Sequence, residues 1–314
     1  MSESTQKFSL PPLPSVGALF RSTFLFWKSH LALIIGISLV PFLLSVVQIA
    51  IVETGDRTLA SLWSLITIMV SLLAYLALFY AVSREGTFAG GVAGSLREAI
   101  KVFMSFLWLE ILLAVALVGG YALFVIPGIF LSIAMSFAPF AFIVEGKRGI
   151  TALAASWHYA RGYWWGILLR LLALVLLAGL VSLVVTLAVV TIQPGPLQAK
   201  EMAGSAYRYG SSQFENPSPL LLVVNNALSS LFVTPISIIF LYFLYKALVE
   251  LKGRATREAL LPLEQKTTYY LGVGVVTIFI VITLSAFVFI SYGPKIMHFR
   301  QLPGVPFSIF VESL

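Results

Sequence analysis

Long apolar runs separated by short polar segments dominate the hydropathy pattern of this chain. A membrane-spanning helix needs about 20 mainly apolar residues, and the chain contains several runs of that length. The runs predict seven spanning helices, at about 31–52, 58–82, 102–122, 129–144, 163–192, 220–245 and 269–292. The predicted fold class is therefore all-α, a polytopic transmembrane helix bundle.

Two segments outside these spans have the pattern of amphipathic helices at the cytoplasmic interface. In the first, residues 17–30, aromatic side chains recur at helical spacing beside Arg21 and Lys28, a mixture that suits the lipid headgroup layer. In the second, residues 145–162, one helix face is formed by Ile150, Leu153, Ala154 and Trp157. Ser156 and Arg161 are off that stripe. Residues 1–16 are predicted to be a disordered cytoplasmic tail and 293–314 an extracytoplasmic tail.

Composition supports a membrane protein and argues against a soluble one. Of the 314 residues 59% are hydrophobic and 11% are charged, whereas an ordinary soluble domain is about 25% charged. The net charge of +7 does not indicate a nucleic-acid partner, because the basic residues lie at the ends of the apolar runs. In that position they act as topology signals and attract anionic lipid headgroups.

The distribution of Lys and Arg predicts the orientation in the membrane. With seven spans and a cytoplasmic N-terminus, fifteen of these side chains fall in cytoplasmic segments. The other five fall in outer segments: Arg57, Lys200, Arg208, Lys295 and Arg300. Basic residues are enriched in cytoplasmic loops. We therefore expect a multi-pass protein of the bacterial inner membrane, with its N-terminus in the cytoplasm and its C-terminus outside.

Two ionisable residues inside spans are candidates for ligand binding, Glu110 in the third span and Arg170 in the fifth. Ionisable groups within a membrane are costly and are often functional. Both lie about 10–12 Å from the cytoplasmic end of their helices at 1.5 Å per residue, so an ion pair between them is geometrically feasible. In a functional arrangement Arg170 would hold a phosphate or carboxylate headgroup and Glu110 would orient it. The alternatives are snorkelling to the interface and a purely structural pair.

Other candidate chemistry is sparse. Asn225 and Asn226 make a polar patch in the sixth span, for which interhelical hydrogen bonding is the default role and a substrate cavity the alternative. The three histidines lie far apart along the chain, and cysteine is absent. No carboxylate pair has the spacing of an acid/base dyad or a metal motif. The sequence therefore predicts no catalytic site, no metal site and no cofactor.

One stretch has a recognisable order of motifs. It runs from Ile126-Pro127-Gly128 through Phe137-Ala138-Pro139 and Glu145-Gly146-Lys147 to Ser156-Trp157 and Arg161-Gly162. It resembles the membrane domain associated with some glycerophosphodiester phosphodiesterases and with related bacterial membrane families of uncharacterised function. The resemblance covers about residues 120–170, with looser agreement over 17–250.

The resemblance implies a membrane domain and does not transfer an activity. In such families a separate soluble barrel performs the hydrolysis, and the predicted spans leave no room for one. The family pattern has about six spans, one fewer than predicted here. The motif also has an architectural interpretation: Pro127 ends one helix, Gly128 allows a close turn, and Gly146 and Gly162 allow turns on either side of the predicted surface helix.

The sequence thus predicts a non-enzymatic inner-membrane protein that interacts with lipid or an amphiphile, or that organises the membrane. Its expected partners are membrane lipids and other membrane proteins or further copies of itself. One alternative is a transporter or channel for a small anionic or amphiphilic solute, for which Glu110 and Arg170 would form part of a polar path. The other alternative is an intramembrane enzyme that modifies lipid.

Overall fold

The computed structural model describes residues 13–85, 90–192 and 219–300, with side chains in the last range described as far as Ser285. Residues 1–12 of the predicted cytoplasmic tail and 301–314 of the predicted outer tail lie outside the described residues. The described residues form helices and no strands. In chain order, the first helices are α1 (Val16–Ser29), α2 (Leu31–Glu53), α3 (Arg57–Ser83) and α4 (Gly91–Leu123).

The remaining helices follow after a short break at Phe124. They are α5 (Val125–Met135), α6 (Ala138–Val144), α7 (Gly149–Ala160), α8 (Trp164–Ile192), α9 (Pro219–Leu228), α10 (Thr234–Lys252) and α11 (Arg257–Arg300). A π-helical segment, Ser229–Val233, joins α9 to α10. Thr234 and Pro235 follow it, and Pro235 has no backbone N–H to continue an ordinary helical ladder.

Seven helical stretches of the described chain are long and apolar enough to cross a membrane. They are α2, α3, α4, α5 with α6, α8, α9 with α10, and α11. The all-α polytopic bundle predicted from the sequence is thus confirmed. The last stretch differs in its start, because α11 begins at Arg257 and continues without interruption into the apolar run predicted from residue 269.

Polar contacts gather many helix ends at one end of the bundle, which we call the basic end. Lys246 on α10 forms a salt bridge with Glu85 after α3, at 2.7 Å. Lys252 donates to the carbonyl of His158 on α7, at 2.6 Å. Lys147 after α6 donates to the carbonyl of Ala255 before α11, at 3.0 Å. The turn between α2 and α3, at residues 54–56, lies at the other end of those two helices.

The helix α1 occupies the first predicted interfacial segment and packs along α10. The Phe20 ring lies 5.0 Å from that of Phe240, and the Phe26 ring lies 6.0 Å from that of Phe243. Phe24, on another face of α1, is exposed. One side of α1 is therefore fixed to the bundle while the other carries an aromatic side chain suited to the headgroup layer.

The second predicted interfacial helix, α7, is not a surface helix, and the prediction is wrong on this point. Residues 152–157, Tyr159 and Ala160 are all buried, and α7 contacts α4, α5, α6, α10 and α11. The stripe recognised in the sequence covers only one of its buried faces. The other faces carry alanines and Ser156, which are small enough to be covered by neighbouring helices. The pattern misled because alanine and serine can face neighbouring helices without forming an apolar stripe in the sequence.

The fourth predicted span is divided in two. Helix α5 ends at Met135 and α6 starts at Ala138, with Pro139 in its first turn. The prediction that Pro127 ends a helix is wrong. Pro127 is in the first turn of α5, and the extended residue Phe124 separates α4 from α5. Proline suits a first turn because its missing N–H would be unpaired there anyway.

Helices α4 and α11 approach each other through glycine. A Cβ added to Gly119 would lie 2.1 Å from the carbonyl oxygen of Tyr270, and one added to Gly274 would lie 2.0 Å from that of Val115. Both neighbours are backbone atoms and cannot rotate away. Small residues allow this kind of close helix contact in membranes, where van der Waals packing drives association. The seventh predicted span, α11, is therefore packed directly against the bundle.

Substitution of Gly274 by alanine is expected to weaken this contact. The added methyl overlaps the α4 backbone, and overpacking of this kind costs about 1–3 kcal/mol. Thermal unfolding of the purified protein in detergent measures the effect. Gly272→Ala is the matched control, since a Cβ there meets nothing within 4 Å. Equal melting temperatures for the two variants would contradict the close approach.

Candidate functional site

The carboxylate of Glu145 joins several segments at the basic end. Its Oε1 accepts hydrogen bonds from the hydroxyls of Tyr159 and Tyr245, both at 2.6 Å. Its Oε2 lies 2.6 Å from Nζ of Lys147, and the Glu145 side chain is only 5% exposed. The Tyr159 hydroxyl also accepts from the backbone N–H of Ala255, at 3.1 Å. One buried charge thus connects α6, α7, α10 and the segment before α11.

Glu145 is held in its ionised form. Burial alone would raise its pKa, but the hydrogen bonds from Lys147, Tyr159 and Tyr245 together lower that pKa below 4.5. Burial and the bond to Glu145 raise the pKa of the Tyr159 hydroxyl well above its usual value of 10.0. Both groups therefore keep their ordinary protonation states at neutral pH. The paired charge and its hydrogen bonds hold these helices together.

The glycines on either side of α7 have the role that the sequence predicted. Gly146 has a φ of +69° and Gly162 a φ of +86°, in the region that only glycine adopts readily. Gly146 turns the chain just after Glu145, and Gly162 turns it from α7 into α8. By contrast, Gly128 lies within α5 and serves close packing, since a Cβ there would lie 2.3 Å from the Tyr121 ring.

Ser156 forms hydrogen bonds to backbone groups at the break between α5 and α6. Its hydroxyl accepts from the backbone N–H of Phe137 at 3.0 Å and donates to the carbonyl of Ala134 at 2.7 Å. The serine is completely buried. Unpaired backbone groups are costly in an apolar environment, so one hydroxyl from α7 satisfies a donor and an acceptor that Pro139 and the break expose.

Arg170 is bound to the N-terminal segment. Its guanidinium donates to the carbonyls of Leu13, Pro14 and Gly166 at 2.6–3.1 Å. Residues 13–16, predicted to be disordered, are instead ordered by these bonds and by Ser15, which caps α1. A headgroup would have to displace this segment to reach the guanidinium.

Arg170 and Glu110, for which an ion pair was hypothesised, do not pair, although the structure describes both residues. Glu110 is partly buried on α4, while the donors of Arg170 are directed to the carbonyls of Leu13, Pro14 and Gly166. The order of the spans predicts that the two residues lie at similar depths in the membrane. It does not predict which face of its helix each residue occupies. The pairing hypothesis is therefore wrong.

The polar patch of the sixth span takes part in helix packing. The hydroxyl of Thr186 on α8 donates to Oδ1 of Asn225 on α9, at 3.4 Å. Asn226 is next to it and is partly buried. This bond agrees with the default role of Asn in joining helices.

A cavity of about 510 Å³ lies between α5, α7 and α11. Its lining combines two cations with aromatic and apolar side chains: Phe130, Trp157, Arg161, Leu263, Lys266, Tyr269 and Tyr270. The Trp157 ring lies 5.9 Å from that of Phe130 and 5.8 Å from that of Tyr270, so the aromatic walls support one another. Its volume is within the range of small-molecule sites.

The cavity brings together two basic residues that lie far apart in the sequence. Arg161 belongs to the predicted structural motif, and Lys266 is one of the fifteen basic residues in the predicted cytoplasmic segments. Arg161 follows α7 and Lys266 is on α11, and both are exposed at the cavity. No acidic residue is among the described residues that line it. The cavity depends on how α7 packs on α11, which helix periodicity does not reveal.

Ser156→Ala is expected to lower the free energy of unfolding by about 3 kcal/mol. The change leaves the N–H of Phe137 and the carbonyl of Ala134 unpaired, and each buried unpaired group costs about 1–3 kcal/mol. Ser136→Ala is the control, because the Ser136 hydroxyl bonds only to its own helix turn, at Ile133. Melting temperatures in detergent compare the two. If Ser156→Ala lowers the melting temperature no more than Ser136→Ala does, the role of the Ser156 hydroxyl at the break is refuted.

Glu145→Gln is expected to cost about 3 kcal/mol at neutral pH, as when one partner of a buried ion pair is removed. The pKa of Glu145 is lowered on folding, so its charge stabilises the fold above the unfolded pKa of 4.5. That contribution disappears as the pH falls through the lower folded pKa. Melting temperatures of wild type and variant should therefore converge at acidic pH. A difference independent of pH would contradict the charge assignment.

Comparison with known proteins does not identify the chain. No family model, no curated protein and no solved structure matches it. The resemblance drawn from the segment between Ile126 and Gly162 therefore stays a prediction. Functional inference depends on the geometry of the membrane bundle and its cavity.

Proposed function

We propose that this membrane protein binds the anionic headgroup of an amphiphile in the cavity of Arg161 and Lys266. The observation that supports the proposal is the pairing of two cations in one aromatic-walled cavity with no acidic residue among the described lining residues. Arg and Lys bind phosphate and carboxylate oxygens through charge-assisted hydrogen bonds. An anion would therefore neutralise the local positive charge.

The aromatic lining favours an amphiphile over a fully polar anion. Trp and Tyr concentrate where a membrane meets water, because each ring has an apolar body and a polar edge. Here Trp157, Tyr269 and Tyr270 surround the same space as the two cations. A phospholipid headgroup places a phosphate beside the start of apolar chains, and this lining offers both kinds of contact.

The position of the cavity fits this proposal. Lys252 at the basic end donates to the carbonyl of Arg161, so the backbone beside the cavity is anchored. The positive-inside distribution in the sequence assigns the basic end to the cytoplasmic leaflet, where anionic lipids are concentrated. Transport and lipid modification, the two alternatives, gain no comparable observation.

Native mass spectrometry of the detergent-purified protein tests the proposal by detecting retained lipid. The double variant Arg161→Gln/Lys266→Gln should retain about 100-fold less anionic phospholipid than wild type. Two charge-assisted contacts contribute about 3 kcal/mol together. The control, Arg97→Gln/Lys101→Gln, removes the same charge from exposed positions on α4.

A second measurement distinguishes a lipid from a free anion. Thermal unfolding is compared with added glycerol phosphate, with short-chain phosphatidylglycerol and with short-chain phosphatidylcholine. Stabilisation by phosphatidylglycerol that is lost only in the cavity variant supports the proposal. Equal stabilisation by glycerol phosphate would identify a soluble phosphate ligand instead. Equal lipid retention by wild type, control and cavity variant would overturn the proposal.

A further inference from the structure

The turn between α4 and α5 is unusual for a loop that leaves a membrane. It consists of one extended residue, Phe124, and the whole stretch from Gly119 to Gly128 contains no charged residue. Phe124 is 79% exposed and Ile126 is 77% exposed. Large apolar side chains at this exposure are unfavourable in water but are favourable in hydrocarbon.

The backbone of this turn satisfies much of its own hydrogen-bonding capacity. The N–H of Phe124 donates to the carbonyl of Gly120 at 3.3 Å, and its carbonyl accepts from the N–H of Gly128 at 3.1 Å. Pro127 has no N–H that requires a partner. Non-helical backbone in a bilayer is disfavoured chiefly by unpaired polar groups. The Ile-Pro-Gly sequence therefore forms a turn that tolerates an apolar environment.

The turn also lies close to the basic end. The ring of Phe130 on α5 stacks 5.7 Å from that of Trp164, the first residue of α8. Phe124 is six residues from Phe130, a rise of about 9 Å along a helix. The hydrocarbon core is about 30 Å thick. The distance from the start of α8 to the tip is therefore too short for the tip to reach the opposite face of the membrane.

A second contact fixes the other arm of the hairpin, α4. The backbone of Gly119, five residues before Phe124, lies against the carbonyl of Tyr270. Tyr270 lines the same cavity as Arg161 and Lys266. Both arms of the hairpin are therefore fixed, close to the tip, beside the cavity that Arg161 and Lys266 line.

We propose that α4, α5 and α6 form a re-entrant hairpin whose apolar tip, Phe124–Ile126, contacts the acyl chains of the leaflet at the basic end. The chain then crosses the membrane five times, through α2, α3, α8, α9 with α10, and α11. The hairpin enters and leaves on one face, so the termini stay on opposite sides. Since the tip has no Lys or Arg, counting basic residues cannot distinguish this topology from seven crossings.

Site-directed labelling tests the proposal directly, because the natural chain has no cysteine. Phe124→Cys and Ile126→Cys place single thiols at exposed positions of the tip. Thr54→Cys reports the face that carries the turn between α2 and α3, and Glu258→Cys reports the basic end. A membrane-impermeant maleimide is applied to sealed vesicles of each orientation and again after solubilisation in SDS.

We expect Thr54→Cys and Glu258→Cys to react from opposite faces and the two tip thiols to react from neither. All four should react in SDS. Nitroxides attached at the tip should be more accessible to oxygen than to a water-soluble nickel chelate. Labelling of the tip from the Thr54 face would establish a complete span, and labelling from the Glu258 face would establish a loop in water. Either result overturns the re-entrant hairpin, whatever the outcome of the lipid-retention experiment.

Discussion

The burial of the Glu145 carboxylate is the constraint on which the basic end of the bundle depends. Taking a carboxylate out of water costs several kcal/mol unless its oxygens are fully paired. Here Tyr159, Tyr245 and Lys147 supply those partners from different segments. Each partner is positioned correctly only when its own helix is docked. The charge therefore couples the placement of α6, α7 and α10, and α7 in turn places one wall of the cavity.

The spans could be predicted from the sequence because lipid imposes a simple rule. A run of about 20 apolar residues is required for a span, and such runs appear directly in the chain. The break near Pro139 was not predicted, although proline removes a helical donor. The start of α11 at Arg257 was not predicted either, because its first turns mix apolar and charged residues and form no long apolar run.

The sites were less predictable than the spans. The burial of α7 was missed because its alanines and Ser156 do not form an apolar stripe. Arg170 was assigned a partner by depth, yet it binds backbone carbonyls, which are present at every residue and leave no mark in the sequence. Arg161 and Lys266 lie on separate helices, and only the packing of α7 on α11 brings them to one cavity.

The position of Ser156 in the chain has a consequence for biosynthesis. It lies 19 residues after Phe137, whose N–H it satisfies, so the broken helix leaves the ribosome before the hydroxyl that repairs it. Tyr245 follows Glu145 by 100 residues, so the carboxylate is synthesised long before its last partner. The hydrogen bonds around the break and around Glu145 can therefore be completed only after α7 and α10 have been synthesised.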